Sequence, residues 1–474
     1  MARKDRGPAV ARESVAGRPP TREERAAAGK ALRDAVPRVS HGDWRPSPDR
    51  PDPIAILETQ NATRLPEYVP VRMGRMLASP FAFLRGAAAV QAADLAGTPV
   101  TGLAVQADGD AHLLNFGVFG TQERNLVFGL NDFDETLEGP WEWDLKRLAA
   151  SAVVGMRFIG GREDQAVDAA RAAVRSYREH MREYAELGNL ELWYAQVRSD
   201  AILAVLSPET RKRAEAILAS ARRRTNLQVL DKTTELIDGD FRIVEDPPLI
   251  VRPPVQQGER AVEDVLADWL AAYRSTLVAD RRRLLDKYRL IDAVRKVVGV
   301  GSVGTRCFVI LLRGEDERDP LFLQVKEAQT SVLETYAGRP RYRNHGRRVV
   351  EGQRLIQPAP DIFLGWGDIT MANGYLLQFY VRQLRDMKGS VTVDPAVNRP
   401  GGVIEYSALC GWALALAHAR SGDAATISGY LGSGDTFDEA MGRYAVAYGD
   451  QTEKDHAALA AAVKSGRVAA EMGV

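Results

Sequence analysis

The sequence predicts an α+β fold in which a large helical lobe is combined with a small lobe built on an antiparallel sheet. Two observations lead to this prediction. Across residues 51–290, and again across 396–474, apolar side chains recur at three- and four-residue steps, which is the spacing of amphipathic helices. Residues 291–395 instead show short apolar runs separated by turn signals, which indicate strands in hairpin order.

The first fifty residues differ from the rest of the chain. Residues 1–50 are rich in Arg, Ala, Pro and Gly and have few large apolar side chains, so we expect a largely disordered basic tail. His41-Gly42-Asp43 imitates a catalytic tripeptide, but the proline-rich segment behind it favours an ordinary turn.

Composition and charge narrow the classes of partner. The 474-residue chain has 63 basic and 63 acidic side chains, so its net charge gives no reason to expect nucleic acid or an anionic membrane as a partner. Its two cysteines, Cys307 and Cys410, are too few for a disulfide framework and fit a reducing compartment. Because there is neither a secretory signal nor an apolar run long enough to span a bilayer, we expect a cytoplasmic protein.

The stretch 107–147 concentrates polar groups around a short apolar strand, LVFGL. Before the strand, Asp110 and Asn115 have the spacing of a phosphotransferase catalytic loop, in which the aspartate accepts the substrate's hydroxyl proton and the asparagine holds magnesium. His112 is a further catalytic candidate, although a hydrogen-bonded scaffold role is favoured. After the strand, Asp132 occupies the place of the magnesium-binding aspartate, and Asp134 is either a second ligand or structural.

A glycine-rich segment supplies a possible phosphate cradle. Gly299, Gly301 and Gly304, with Ser302 among them, match G-x-G-x-x-G. A β-rich run follows rather than a helix, so we expect a loop that joins two antiparallel strands and donates backbone N–H groups to phosphates. An ordinary glycine-rich hairpin is the equally simple alternative.

Lys326 ends the strand LFLQVK, the position from which the kinase lysine contacts nucleotide phosphates. That arrangement asks for a glutamate on a helix, and Glu351 is the first candidate, with Glu334 as the alternative. Arg85 also needs a partner, an acidic residue or a phosphate, because it lies inside the apolar segment FAFLRGAA. Arg72 fits a solvated or salt-bridged helix face.

The motif order is reversed relative to a standard protein kinase, whose glycine loop and lysine precede the catalytic loop. We therefore expect a protein-kinase-like two-lobed fold that is circularly permuted, which folds tolerate when their termini lie near each other. The helix around His418 resembles the one that leads into a kinase catalytic loop, and it stands near the C-terminus.

Several segments together resemble the bacterial family known as domain of unknown function 2252, among them GDAHLLNFG, NDFDETLEGPWEWDLKRLAAS, KVVGVGSVGTR and FYVRQLRDMKGS. A more distant resemblance is to aminoglycoside-phosphotransferase-type kinases, whose pattern Asp110, Asn115, Asp132 and the element 139–145 match. Asp108 departs from that pattern, which has a histidine before the loop glycine. Asp144, in the 139–145 element, fits a structural role in fixing the loop.

The leading functional hypothesis is an ATP- and Mg²⁺-dependent phosphotransferase that acts on a hydroxyl of a small molecule. A non-catalytic nucleotide-binding module and a nucleotidyl transferase remain alternatives, and a metal-dependent phosphoesterase ranks lower because the six histidines are scattered. Arg382, Arg385 and Lys388 fit either contacts to a nucleotide or anionic substrate, or a charged linker.

Overall fold

The computed structural model describes residues 18–237, 240–252, 256–257, 260–371, 374–384 and 387–473. The helices within these ranges, numbered α1 to α18 in chain order, are Arg22–Ala35, Pro53–Asn61, Val69–Leu77, Pro80–Gly86, Ala88–Leu95, Trp141–Phe158, Glu163–Glu186, Asn189–Tyr194, Ser199–Val205, Pro208–Arg223, Asn226–Thr233, Val262–Thr276, Ala279–Leu285, Glu334–Ala337, His345–Ile356, Pro400–Ser421, Ala424–Leu431 and Thr436–Lys464. Among them, none combines the length and the apolar character needed to cross a membrane.

The strands, numbered β1 to β15, are Ala104–Ala107, Phe116–Gly120, Leu126–Leu130, Leu137–Pro140, Thr234–Ile237, Asp240–Ile243, Ile250–Val251, Gln256–Gln257, Arg260–Ala261, Arg289–Lys296, Cys307–Arg313, Pro320–Glu327, Gly365–Thr370, Leu376–Gln383 and Gly389–Ser390. All of their pairings are antiparallel. The α+β class with antiparallel sheets is therefore confirmed.

The largest sheet has six strands in the order β13-β14-β12-β11-β10-β7. Its interior strand β12 is buried along its whole length, which suits the apolar run LFLQV. In the register of the sheet, Lys326 pairs with Cys307 on one side and with Tyr380 on the other. The hairpin order expected for 291–395 is confirmed, although the first strand is Arg289–Lys296 and the run VVGVG lies in the loop behind it.

The helical part is organised around α6, α7 and α16, whose facing side chains form the largest hydrophobic core. α6 begins after Pro140 and carries Glu142 and Asp144 in its first turn. Acidic side chains there stabilise a helix because they interact favourably with the positive end of its dipole. α16 begins with Pro400 at its first position, where proline costs no hydrogen bond. A second core joins α12 to the six-stranded sheet through Trp269 and Tyr273.

The expectation of a disordered tail over residues 1–50 is wrong from Thr21 onward, while residues 1–17 lie outside the described ranges. Thr21 and Glu24 form a capping box that starts α1. Gly29 lets this helix approach α17 so closely that a Cβ there would collide with the Thr426 carbonyl. His41, expected in an ordinary turn, lies in a short 3₁₀ helix, where it is buried and bonded to the Tyr430 hydroxyl at 2.7 Å.

Candidate functional site

A cavity of about 760 Å³ lies where the six-stranded sheet meets the helical part. Four chain segments with polar groups converge on it: the loop after β1, the loop after β3, the glycine loop between β10 and β11, and the last turn of α4. The sequence-predicted residues that line it are Asp110, His112, Asn115, Asp132, Asp134, Gly299, Gly301, Ser302, Arg85, Arg382 and Lys388. Residues far apart in the sequence therefore share one cavity.

Lys326, near the end of β12, is buried and does not itself line the cavity, but it contacts two aspartates that do. Its Nζ donates to Asp132 Oδ1 and Oδ2 at 2.9 and 3.0 Å, and to Asp134 Oδ2 at 2.6 Å. Burial alone would lower the pKa of the ammonium, but the two carboxylates raise it well above its ordinary value. Tyr380, beside it on β14, donates its hydroxyl to Asp134 Oδ1 at 2.6 Å, and the same hydroxyl lies 3.2 Å from Asp132 Oδ1.

Two further cations lie beyond Asp132. Arg382 donates to the Asn131 carbonyl at 2.6 Å, and Lys388 Nζ is 3.5 Å from the same oxygen. Burial would raise the pKa of Asp132, yet Lys326 and Arg382 hold it below its ordinary range. Burial, and next Arg382, lower the pKa of Lys388 to about 7. Arg385 lies outside the described residues.

The glycine loop joins β10 to β11, which pair antiparallel, so the expected connection is confirmed. Gly299 and Gly304 have φ of 68° and 86°, a backbone region that glycine tolerates best. Ser302 of this loop donates its hydroxyl to Asp134 Oδ2 at 3.0 Å, and Arg64 donates to the Val303 carbonyl at 2.6 Å. The loop thus covers the aspartates from the side of the sheet.

The proposed base, Asp110, is held by a residue that sequence reasoning did not select. Arg147 on α6 donates its Nε to Asp110 Oδ1 at 2.6 Å, and its Nη2 forms a second contact with the same oxygen. Burial raises the pKa of Asp110 to about 7, against the lowering effect of Arg147. The side chain of Asp110 is 25% exposed. It is thus oriented by a buried arginine and remains open to the cavity.

His112 acts as a scaffold in this loop. Its Nδ1 accepts from the Leu114 backbone N–H at 3.1 Å, so in the neutral ring the proton lies on Nε2, which is 3.9 Å from Asp110 Oδ2. Burial, and next the charges of Arg85 and Arg147, lower the pKa of His112 well below its ordinary value. The ring is therefore neutral.

Asp144 fixes the start of the loop, as its sequence position suggested. Its carboxylate accepts from the backbone N–H groups of Asp108 and Gly109 at 2.6 and 2.9 Å. His418 Nε2 lies 3.2 Å from the same carboxylate, and the other ring nitrogen contacts the Tyr177 hydroxyl at 2.9 Å. This buried chain of contacts ties α6, α7 and α16 to the loop.

Asp108, the residue before the loop glycine Gly109, supports the loop from within. Its Oδ2 accepts from the Asp110 backbone N–H at 3.2 Å and from Asn115 Nδ2 at 2.9 Å. Asn115 also donates to the Asp132 carbonyl at 3.0 Å, and its Oδ1 accepts from the Asp132 N–H at 2.8 Å. Asn115 is therefore a clamp between the two loops, and one lone pair of its amide oxygen remains for a cation.

The expected helical glutamate partner of Lys326 is wrong. Glu351 lies on α15 beside Arg354 and Arg347, at 3.4 and 3.9 Å, and Glu334 accepts from the Ser331 N–H. The physical reason is that the ammonium already donates to three carboxylate oxygens, those of Asp132 and Asp134.

The residue that α15 directs at the site is Arg348, which sequence reasoning missed. It donates to the backbone carbonyls of Thr136, Asp134 and Gln329 at 2.5, 2.8 and 2.8 Å. A buried guanidinium thus holds the loop after β3 in place. Arg72, expected on a solvated face, is also fully buried, where it donates to Asn61, Gln60 and the Gly86 carbonyl.

Mg²⁺ is a hard cation that prefers oxygen ligands. Asp132, Asp134 and the amide oxygen of Asn115 supply such oxygens at one place. The ammonium of Lys326 lies against both carboxylates, so these oxygens face a positive charge in this structure. Within the described ranges, no group of three or more His, Cys, Asp or Glu side chains has the geometry of a metal site.

The fold and the site together define an α+β protein with a charged cavity between an antiparallel sheet and a helical part. The chain belongs to the family described as uncharacterized protein conserved in bacteria (DUF2252), whose model matches residues 64–462. No curated protein and no solved structure matches the chain.

Proposed function

We propose that the protein transfers the terminal phosphoryl group of ATP, with Mg²⁺, to a hydroxyl of a small molecule. The observation that carries this proposal is the contact of Lys326 with Asp132 and Asp134, in one cavity with the glycine loop and Asp110. These are the parts that phosphoryl transfer requires: a lysine and backbone N–H groups for phosphates, carboxylates for magnesium, and a base for the acceptor.

Each residue has a role in this reaction. Asp110, with a pKa of about 7, is poised to accept the hydroxyl proton, and Arg147 fixes the orientation of its carboxylate. The glycine loop and Lys326 bind the donor phosphates. Asp132 and Asp134, with Asn115, would hold Mg²⁺, which neutralises phosphate charge when bound. Lys326 neutralises these carboxylates in this structure, and the same oxygens would hold Mg²⁺.

The spatial arrangement supports a kinase-like two-lobed fold with permuted motif order. The glycine loop, Lys326 and α15 follow the catalytic loop in the sequence, yet the sheet brings them onto Asp132 and Asp134. Only a short segment separates Asp132 from Gly139-Pro140, so the chain lacks room there for a protein-kinase activation segment. This favours a small-molecule acceptor.

A thermal-shift screen of nucleotides with and without Mg²⁺ tests the proposal. A ligand at about 100 times its dissociation constant stabilises a protein by about 2.7 kcal/mol. We expect ATP to raise Tm only weakly without Mg²⁺ and clearly with it, and Asp132→Asn to remove the effect of the metal. If no nucleotide changes the Tm of the wild-type protein, the proposal is wrong.

A non-catalytic nucleotide-binding protein is the second candidate, and a specific observation favours it. Asp110 Oδ1 accepts from Arg147, and Asn115 Oδ1 accepts from the Asp132 N–H, so the proposed base and one proposed magnesium ligand already have partners. Turnover of ATP that disappears in Asp110→Ala while nucleotide binding persists would exclude this candidate. The mass of the product separates phosphoryl from nucleotidyl transfer, and phosphoester hydrolysis without ATP would indicate a phosphoesterase.

A further inference from the structure

Arg85 is a charged side chain that lines the cavity and that Asp110 offsets only in part. It lies in the last turn of α4 and lines the cavity with Asp110 and His112. Its Nε is buried and has no hydrogen-bond partner among the described residues. Burial lowers its pKa, and the charge of Asp110 opposes this only in part. A half-buried guanidinium whose buried Nε has no acceptor is costly, so the position calls for an anion.

The backbone around Arg85 is fixed by two other buried arginines. Arg147 donates its Nη2 to the Leu84 carbonyl at 3.0 Å, and Arg72 donates to the Gly86 carbonyl at 2.8 Å. The carbonyls on either side of Arg85 are therefore both bonded to arginines from other elements. These two bonds hold the backbone of Arg85 in place. Because Arg147 and Arg72 are themselves cations and offer no acceptor, they leave the guanidinium of Arg85 available for an anionic ligand.

The position of Arg85 lies between the phosphate cradle and the base. A Cβ on Gly301 would lie 3.5 Å from the Arg85 carbonyl oxygen, so the tip of the glycine loop rests on the last turn of α4. On its other side, Arg85 is close enough to Asp110 for their charges to interact. In a phosphoryl transfer, the group in motion passes between the donor's phosphates and the acceptor oxygen beside the base.

We infer that Arg85 binds the terminal phosphoryl group of the donor and stabilises the charge on its oxygens during transfer. The inference rests on the proposed function. In the step, a bond forms between the acceptor oxygen and phosphorus, and the bond from phosphorus to the bridging oxygen of the ADP leaving group breaks. The hydroxyl proton passes to Asp110, and Arg85 stays protonated throughout. The arginine supplies hydrogen bonds and charge only.

The test compares affinities for a non-hydrolysable ATP analogue and for ADP, both with Mg²⁺, by isothermal titration calorimetry. The wild-type protein should bind the analogue more tightly than ADP. Arg85→Gln should weaken the analogue about 10- to 100-fold, the loss expected for a charge-assisted hydrogen bond, and leave ADP within about twofold. Arg85→Lys keeps the charge and should retain part of the preference. Arg222→Gln, which removes an exposed charge from α10, should change neither affinity.

The outcomes separate this inference from the proposed function. If the wild-type protein binds neither nucleotide, both are wrong. If it binds both equally, or if Arg85→Gln keeps the wild-type preference, only the role of Arg85 is overturned. An Arg85→Gln variant that changes only the KM of an acceptor would assign the guanidinium to an anionic group of that acceptor, and would also overturn it. An unchanged affinity for ADP shows that a variant is folded. The comparison of the ATP analogue with ADP in the wild-type protein tests the inference even if a variant does not fold.

Discussion

Lys326 Nζ lies 2.9 Å from Asp132 Oδ1, although 194 residues separate the two in the sequence. The lysine belongs to the six-stranded sheet and the aspartate to the loop after β3, so this contact joins the two parts of the fold beside the cavity that Asp132 lines. It brings together two residues that the sequence predicts for one site, Lys326 as a phosphate ligand and Asp132 as a magnesium ligand.

Removing the lysine should destabilise the protein and abolish binding of nucleotide. Lys326 is 2% exposed and Asp132 is 41% exposed, so Lys326→Met leaves carboxylates that solvent screens only in part. We expect a loss of about 1–3 kcal/mol in the free energy of unfolding, measured by urea denaturation. In a double-mutant cycle with Asp132→Asn, the two losses should add to more than the loss of the double variant. Strict additivity would show that the pair is not coupled.

The protonation of Asp110 should give stability and turnover opposite pH dependences. Its pKa is raised from 3.8 to about 7, so the native carboxyl holds a proton that the unfolded chain has released. The stability that Asp110 contributes is therefore fully present below its unfolded pKa of 3.8 and is lost as the pH rises through about 7. Turnover requires the ionised base, so kcat/KM should rise to a plateau with an apparent pKa near 7.

Asp110→Asn provides the control for both pH profiles. Urea denaturation at about pH 4 and about pH 8 should show a smaller decrease in stability for this variant than for the wild-type protein. Because Arg147 lowers the pKa of Asp110, removing that charge should also shift the acid limb of the activity profile to higher pH. An unchanged limb in Arg147→Gln would mean that another group sets the profile.

Local spacing was enough to find the two polar loops and the lysine. The run LVFGL predicts the strand β3, and it is flanked by Asp110, Asn115 and Asp132. Lys326 comes at the end of another apolar run. Contacts within such short segments are set by the chain itself, so the sequence predicts them. The antiparallel hairpins of the sheet follow from turn signals for the same reason.

The residues that the sequence did not reveal come from distant elements. Arg147 and Arg348 lie on helices, and a helical arginine looks the same in a sequence whether its face meets water or buried carbonyls. The sequence predicts Glu351 as the residue of α15 that faces the site, whereas the structure places Arg348 there. The difference arises because the rotation of a helix about its axis depends on tertiary packing. The position of Tyr380 likewise depends on the register of the sheet, which places Tyr380 directly beside Lys326.

The glycines of the loop should differ in what they tolerate. Gly304 has a φ of 86°, and a Cβ there would lie 3.1 Å from Arg64 Cβ, so Gly304→Ala should cost about 1–2 kcal/mol. Gly301 does not have a positive φ, and a Cβ would make an ordinary contact with the Arg85 carbonyl at 3.5 Å. Gly301→Ala should therefore change stability by less than about 0.5 kcal/mol. Thermal unfolding of both variants gives the comparison, and equal losses would contradict the loop geometry.

Asp108 allows a last test, of why the loop holds a buried acid at this position. It is 1% exposed, and burial, and next the charge of Asp144, raise its pKa well above the ordinary value. Its Oδ1 has no hydrogen-bond partner among the described residues, whereas Oδ2 holds Asn115 and the Asp110 N–H. The position thus needs one acceptor oxygen and no charge.

Asp108→Asn should accordingly change the free energy of unfolding by less than about 1 kcal/mol, because the amide keeps the acceptor. Asp108→Ala should cost about 1–3 kcal/mol, since it leaves the Asn115 amide and a backbone N–H without their acceptor. Because the native carboxyl has the raised pKa, the stability that Asp108 contributes is lost as the pH rises, and Asp108→Asn should gain on the wild-type protein at higher pH. Urea denaturation at two pH values measures all three effects. A large loss in Asp108→Asn would show that the charge itself holds the loop.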